Sequence, residues 1–136
     1  MVREIVHDEA FLSLPSENAT RSDRAVIVDL VDTLAANSEK CVGMAANMIG
    51  SRKNIIAVAY GPVILVMINP VIIRKSGEYS AREGCLSLTG ERECIRYREI
   101  DVEYLDSSFR KAEGRFSGFT AEIIQHEIDH LHGIVI

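Results

Sequence analysis

The sequence predicts an α+β fold: mostly antiparallel strands packed around a C-terminal helix, with another helix towards the N-terminus. Three observations predict it. Ile27, Leu30, Val31 and Leu34 follow the i, i+3, i+4, i+7 spacing of an amphipathic helix. Ile100, Val102 and Tyr104 alternate with Asp101 and Glu103, the period of a half-buried antiparallel strand. Between them lie short β-branched runs separated by Gly, Pro and Asn, which read as strands and turns.

Taken in order, Met1 to Arg21 is polar and irregular, broken by Pro15, and its lone His7 reads as a surface residue. A helix is expected from about Asp23 to Asn37, with Ser22 or Asp23 as cap. The small-residue stretch Gly43 to Gly50 reads as a loop whose backbone can approach a ligand. Asn54 to Tyr60 and Val63 to Asn69 form a strand pair around Gly61-Pro62. Val71 to Arg74 continues after Pro70, and Ser76-Gly77 ends it. Glu93 to Asp106 is strand-like, Asp106-Ser107-Ser108 a turn, and Arg110 to Phe116 a returning strand. Ser117 or Thr120 then caps the final helix.

The 136 residues are read as one domain, long enough for a hydrophobic core without staples. A net charge of −5 argues against nucleic-acid binding, and Arg82, Arg92, Arg96 and Arg98 are too scattered to make a basic patch. Three cysteines leave at least one outside any intramolecular disulfide, and no signal peptide precedes the first apolar segment. A reducing cytoplasm is therefore the expected location. No membrane span is expected, since the longest apolar runs are broken by Tyr60-Gly61-Pro62 and Asn69-Pro70.

The chemistry is concentrated in Gln125-His126-Glu127-Ile128-Asp129-His130-Leu131-His132-Gly133. His126 and His130 share one helix face about a turn apart and can reach one divalent cation. Glu127 sits beside them, where a carboxylate can serve as general base. His132 lies about 200° round from His130 and points away. A third ligand must therefore come from upstream, where His7, Cys41, Cys85, Cys94 and the carboxylates are available. Cys85 is the strongest of them, because Gly84 allows close backbone approach at the end of a strand-like run. Ile124, Ile128 and Leu131 form the core-facing stripe of this helix. Ile123 falls on the histidine stripe, where it either borders a cleft or is ordinary core.

These residues carry a family resemblance. Glu83-Gly84-Cys85-Leu86-Ser87 and Gln125 to Gly133 resemble the E-G-C-L-S and Q-H-E-x-D-H-x-x-G signatures of peptide deformylases. A third signature, G-x-G-x-A-A-x-Q, is altered here to Cys41-Val42-Gly43-Met44-Ala45-Ala46-Asn47-Met48. Asn69-Pro70 also matches, and the resemblance spans nearly the whole chain. It implies a metal-dependent hydrolase that removes the N-formyl group from the N-terminal methionine of nascent peptides. It implies Cys85, His126 and His130 as metal ligands, and Glu127 as the acid–base group. Leu86 would supply an oxyanion-binding backbone amide. Gly43, Met48, Glu83, Arg92 and Ile123 would lie against the substrate. Fe(II) is the implied working metal, with Zn(II), Ni(II) or Co(II) as alternatives that a thiolate ligand also suits. Cys94 is expected to be inert, and Cys41 near the site without being a ligand.

Two departures bear on activity. Met48 stands where the family has a glutamine, and a thioether cannot donate to a developing oxyanion. Cys41 stands where it has a glycine. The alternative expectation is therefore a deformylase-like metalloprotein with weak or no deformylation. The chain also ends at Ile136, so the C-terminal segment of many family members, and any docking helix it could supply, is not expected.

Overall fold

Ile27, Leu30 and Leu34 are buried along one side of a helix, Arg24–Ala36, as their spacing predicts. The molecule is described over residues 1–136 by a computed structural model. This helix is α2; a single turn, α1 (Glu9–Leu12), precedes it and α3 (Gly118–Leu131) comes last. Between α2 and α3 run β1 (Gly43–Ala45), β2 (Ile55–Tyr60), β3 (Val63–Cys85), β4 (Leu88–Leu105) and β5 (Lys111–Ser117). They make one sheet in the order β1-β2-β3-β4-β5, with every neighbouring pair antiparallel. The chain is thus a meander of strands with helices before and after it, which is the α+β arrangement expected.

Several local expectations are corrected. The N-terminal region is not wholly irregular: Asp8 Oδ1 accepts from Ala10 N–H at 3.0 Å to start α1, and Leu12 is completely buried. One turn is too short to show a helical period. Asp23 precedes α2 without capping it, because its Oδ2 reaches back to accept from Thr20 N–H at 2.8 Å. Gly43 to Gly50 is not an open loop. It forms β1 and then a tight 3-10 turn, Ala46–Ile49, and every residue from Gly43 to Ile49 is buried. Small side chains permit this close packing.

The largest correction concerns the ribbon of β3 and β4. Ser76-Gly77 does not end β3, and β4 begins at Leu88 rather than Glu93. Pairing continues through Ser76 with Glu99 and Glu78 with Tyr97, out to Cys85 with Leu88. Gly77 (φ +77°) holds a left-handed conformation within the strand, and a Cβ there would stand 3.1 Å from Arg98 Cβ. The glycine therefore sits within the ribbon without interrupting its register, which runs on from Ser76–Glu99 to Glu78–Tyr97. This places Glu83-Gly84-Cys85 near the tip of a hairpin closed by Leu86 and Ser87.

Buried residues of α2, β1, β2, β3, β4 and α3 form one apolar core, to which Ile124, Ile128 and Leu131 contribute from α3. The helix begins from an extended Ser117, followed by Gly118 at φ +60°. Neither Ser117 nor Thr120 provides a side-chain cap. Gln125 instead pins the helix to β4: Tyr97 N–H donates to its Oε1 at 2.8 Å, and its Nε2 donates to Tyr97 O at 2.8 Å.

Candidate metal centre

A buried helix can expose ligands only where something lines a cleft beside it. On α3 the inner face carries His126 and His130, 7% and 0% exposed. The hairpin tip delivers Cys85, and one ligand atom from each of these three residues lies within 4.8 Å of the others. The imidazoles face each other with their Nε2 atoms 3.0 Å apart. Cys41 and Cys94 lie outside this group. Burial pushes the thiol of each up to about 11; Cys41 Sγ donates to Gly43 O at 2.7 Å and Cys94 Sγ to Ala81 O at 3.7 Å.

His126 is oriented from behind. Its Nδ1 is 2.7 Å from Glu83 Oε1, and since an ionised carboxylate only accepts, Nδ1 carries the proton. Glu83 is itself held in a fork by Arg96, through Nε to Oε2 at 3.0 Å and Nη2 to Oε1 at 2.8 Å. Arg96 Nη1 also donates to Asp129 Oδ2 at 2.7 Å, so a ring of charged contacts closes from His126 through the ribbon and back to α3. Burial opposes the Glu83 charge, but the His126 and Arg96 contacts outweigh it and hold its carboxyl far below the usual range. Glu83 thus spends both oxygens on the protein while its side also borders the cleft.

The donor set is suited to a cation. Burial works against charge on His126, yet the Cys85 and Glu83 hydrogen bonds raise its pKa to about 10. Burial, with the positive charge of His126, depresses His130 to about 3. Without a metal, one proton must therefore separate two nitrogen lone pairs aimed at each other. A thiolate and two imidazoles converging in this way fit a divalent cation, and they are the ligand types that zinc and iron accept. Glu127 gives an independent indication, since its Oε1 is buried without a hydrogen-bond partner. Burial raises this carboxyl to about 7, with the His126 charge acting in the opposite direction.

The cleft beside this group has a volume of about 250 Å³, and Gly43, Met48, Leu86 and Ile123 line it together with Cys85, His126 and Glu127. Gly43 is required by closeness: a Cβ there would meet Ile123 Cγ2 at 2.6 Å and Glu127 Oε2 at 3.0 Å. Ile123 answers both readings of its position, being 7% exposed in the core and also part of the cleft wall. Met48 is 1% exposed, and its Sδ accepts from Ala45 N–H at 3.5 Å. Leu86 sits half-buried in the hairpin turn. Arg92 is half-buried on β4 opposite Glu83 in the strand register, outside the cleft lining. His132 is exposed at the end of α3.

Sequence reasoning missed Arg96 and Asn47. Arg96 is 3% exposed and is the buried partner of Glu83, whereas the sequence offered it only as one of several scattered arginines. Asn47 Nδ2 donates to His130 O at 3.0 Å, which ties the turn after β1 to α3. Position in the altered signature was the only sequence signal for it.

Comparison with known proteins shows what the chain is similar to. A family model described as polypeptide deformylase matches residues 3–136. A peptide deformylase of Clostridium beijerinckii is 54% identical over 136 residues, covering 100% of both chains. Peptide deformylase 3 of Shewanella oneidensis is 35% identical, covering 91% of this chain and 83% of that one. The crystal structure of peptide deformylase from Ehrlichia chaffeensis superposes with a TM-score of 0.88 at 32% identity, covering 99% of this chain and 86% of that one. A Met-Ala-Ser-bound class I type b peptide deformylase from Acinetobacter baumannii gives 0.87 at 28% identity, covering 99% of this chain and 96% of that one.

Proposed function

The chain belongs to the polypeptide deformylase family, metal-dependent hydrolases that free formate from N-formyl-methionyl peptides, and we propose that Cys85, His126 and His130 hold its one divalent metal while Glu127 moves the protons. The observation that carries this reading is the convergence of the three donor atoms within 4.8 Å beside a buried, unpartnered Glu127 oxygen. A cation bound there supplies Lewis acidity, polarising the formyl carbonyl and making an attacking water more acidic.

The remaining work falls to the protein. Glu83, braced by Arg96, keeps the proton on His126 Nδ1, so that Nε2 is free to donate its lone pair. Glu127 takes a proton from the attacking water and passes it to the departing methionyl amine, which leaves as formate is released. Its buried position beside the cleft, with an oxygen that no protein group occupies, suits a group that must accept and then return a proton. The Leu86 backbone N–H, at the hairpin turn, receives the negative charge that develops on the formyl oxygen. Ile123 and Gly43 shape the wall against which the methionine and its backbone lie, and Arg92 steers the following peptide from outside the lining.

Fe(II) is the proposed working metal, and Zn(II), Ni(II) and Co(II) suit the same thiolate-containing set. The proposed substrates are nascent formyl-Met peptides and the proposed location is the cytoplasm. The cysteines are all unpaired, and no helix is long and apolar enough to cross a membrane. The test is formate release from formyl-Met-Ala-Ser by anaerobically prepared, Fe(II)-loaded protein, beside a glutamine-bearing family member. Turnover well above background supports the reading, with any shortfall against the comparator measuring what Met48 costs; bound metal with only background turnover overturns it.

Met48 yields a separate prediction. Its sulfur faces Ala45 N–H and offers the cleft no donor. Met48→Gln is expected to raise kcat with little change in KM, by up to roughly 10² to 10³, the range for one oxyanion donor. The gain is smaller if the new amide spends itself on Ala45 N–H. An unchanged kcat, with a crystal structure showing the amide aimed into the cleft, removes the oxyanion explanation of this position.

A further inference from the structure

The N-terminal segment, which the sequence left without a role, touches all three stretches that build the cleft. Val6 N–H donates to Met48 O at 2.8 Å, on the turn after β1. His7 Nδ1 lies 2.7 Å from Ser87 O, at the hairpin tip. Ser16 N–H donates to Leu131 O at 2.8 Å, at the end of α3. A carbonyl oxygen only accepts, so Nδ1 of His7 carries the proton and donates it to Ser87. The strap is anchored on both sides of His7: Arg3 pairs with Asp29 at 2.6 Å before it, and Leu12 is completely buried after it. Gly133 records how closely the segment crosses the end of α3, because a Cβ there would stand 2.4 Å from Ser13 O.

The His7 contact falls where it matters mechanically. Leu86 and Ser87 are the two residues that close the hairpin between Cys85 and Leu88. Their few backbone dihedrals set where Cys85 Sγ and the Leu86 N–H point. Ser87 is 2% exposed, and its hydroxyl is buried without a partner, so its side chain gives the turn no hydrogen-bonded anchor. A turn left without an anchor must lose backbone freedom each time it adopts the single geometry the site needs.

We propose that His7 is a positioning residue for deformylation, its Nδ1–H fixing the Ser87 carbonyl and thereby the turn that presents the Cys85 thiolate and the Leu86 amide. The ring itself is exposed and is not part of the cleft lining. This rests on the reading of Cys85 as a ligand, and the experiment separates the two. Asparagine carries its amide nitrogen the same number of bonds from Cα as His Nδ1, whereas glutamine carries it one bond further.

His7→Ala, His7→Asn, His7→Gln and Cys85→Ala are compared with the unmodified protein. The first measurement is Co(II) affinity by chelator competition, followed by the thiolate-to-cobalt absorption band; the second is kcat and KM on formyl-Met-Ala-Ser. His7→Ala and His7→Gln are expected to weaken Co(II) binding and lower kcat about tenfold, the low end for outer partners of metal ligands, with KM within about twofold. His7→Asn is expected to stay within about threefold of the unmodified protein on both measurements. Unchanged affinity and kcat in His7→Ala overturn the proposal. So does His7→Asn as impaired as His7→Ala, which assigns His7 to packing alone. Full Co(II) affinity in Cys85→Ala defeats the ligand reading instead, whatever the His7 variants do.

Discussion

Replacing Cys85 by alanine is expected to leave a folded protein that no longer retains one metal per chain. Cys85 ends β3 in register with Leu88, so the hairpin pairing that positions it is made by backbone and survives the change. What disappears is the only thiolate facing the two imidazoles. His126 and His130 then face each other with their Nε2 atoms 3.0 Å apart and no sulfur beside them, and a proton held between them competes with any cation. Two neutral nitrogens fall short of the three protein ligands that catalytic sites of this kind use. The loss should exceed the 10- to 100-fold typical of removing an outer partner. Metal analysis after gel filtration reads the result, with Cys41→Ala as the control that retains metal. Full occupancy in Cys85→Ala together with loss in Cys41→Ala would transfer the ligand role to Cys41.

What the sequence disclosed and what it hid follow from the range of each interaction. His126 and His130 are four apart on one helix, so a local rule places them on one face, and the core stripe of Ile124, Ile128 and Leu131 follows from the same rule. The β4 alternation through Ile100 and Val102 is equally local, and both residues are buried; it fails at Asp101, which is buried too because it pairs with Arg115 on β5. The true extent of the ribbon was hidden, because Ser76-Gly77 carries a turn signal that cross-strand pairing overrides. Arg96 was hidden for a related reason: Arg92, Arg96 and Arg98 all occupy the same alternating phase of β4, and only the contacts with Glu83 and Asp129 single out one of them. The N-terminal strap has no period at all. Its contacts run to Met48, Ser87 and Leu131 over long sequence separations, which composition cannot report.

Glu127 is expected to separate metal binding from chemistry. It follows His126 directly on α3, and its carboxylate lies outside the group of three converging ligand atoms. Removing it should leave metal content near one per chain. Glu127→Gln keeps the volume that Gly43 makes room for, since Glu127 Oε2 would stand 3.0 Å from a Cβ at that position. It therefore tests the proton function without opening a cavity, and Glu127→Ala gives the full deletion. Both should lower kcat by roughly 10² to 10⁴, the range for a positioned acid–base group, while KM changes little. The pH profile provides a second readout. Burial raises this carboxyl to about 7 without metal, and a neighbouring cation favours its ionised form, so the acid limb in the loaded protein should lie below that value. Activity should then rise with pH through the Glu127 pKa, and that limb should vanish in Glu127→Gln. Loss of metal in Glu127→Gln would show that the carboxylate coordinates or braces the site. An intact acid limb with undiminished kcat would place the proton transfer on another group.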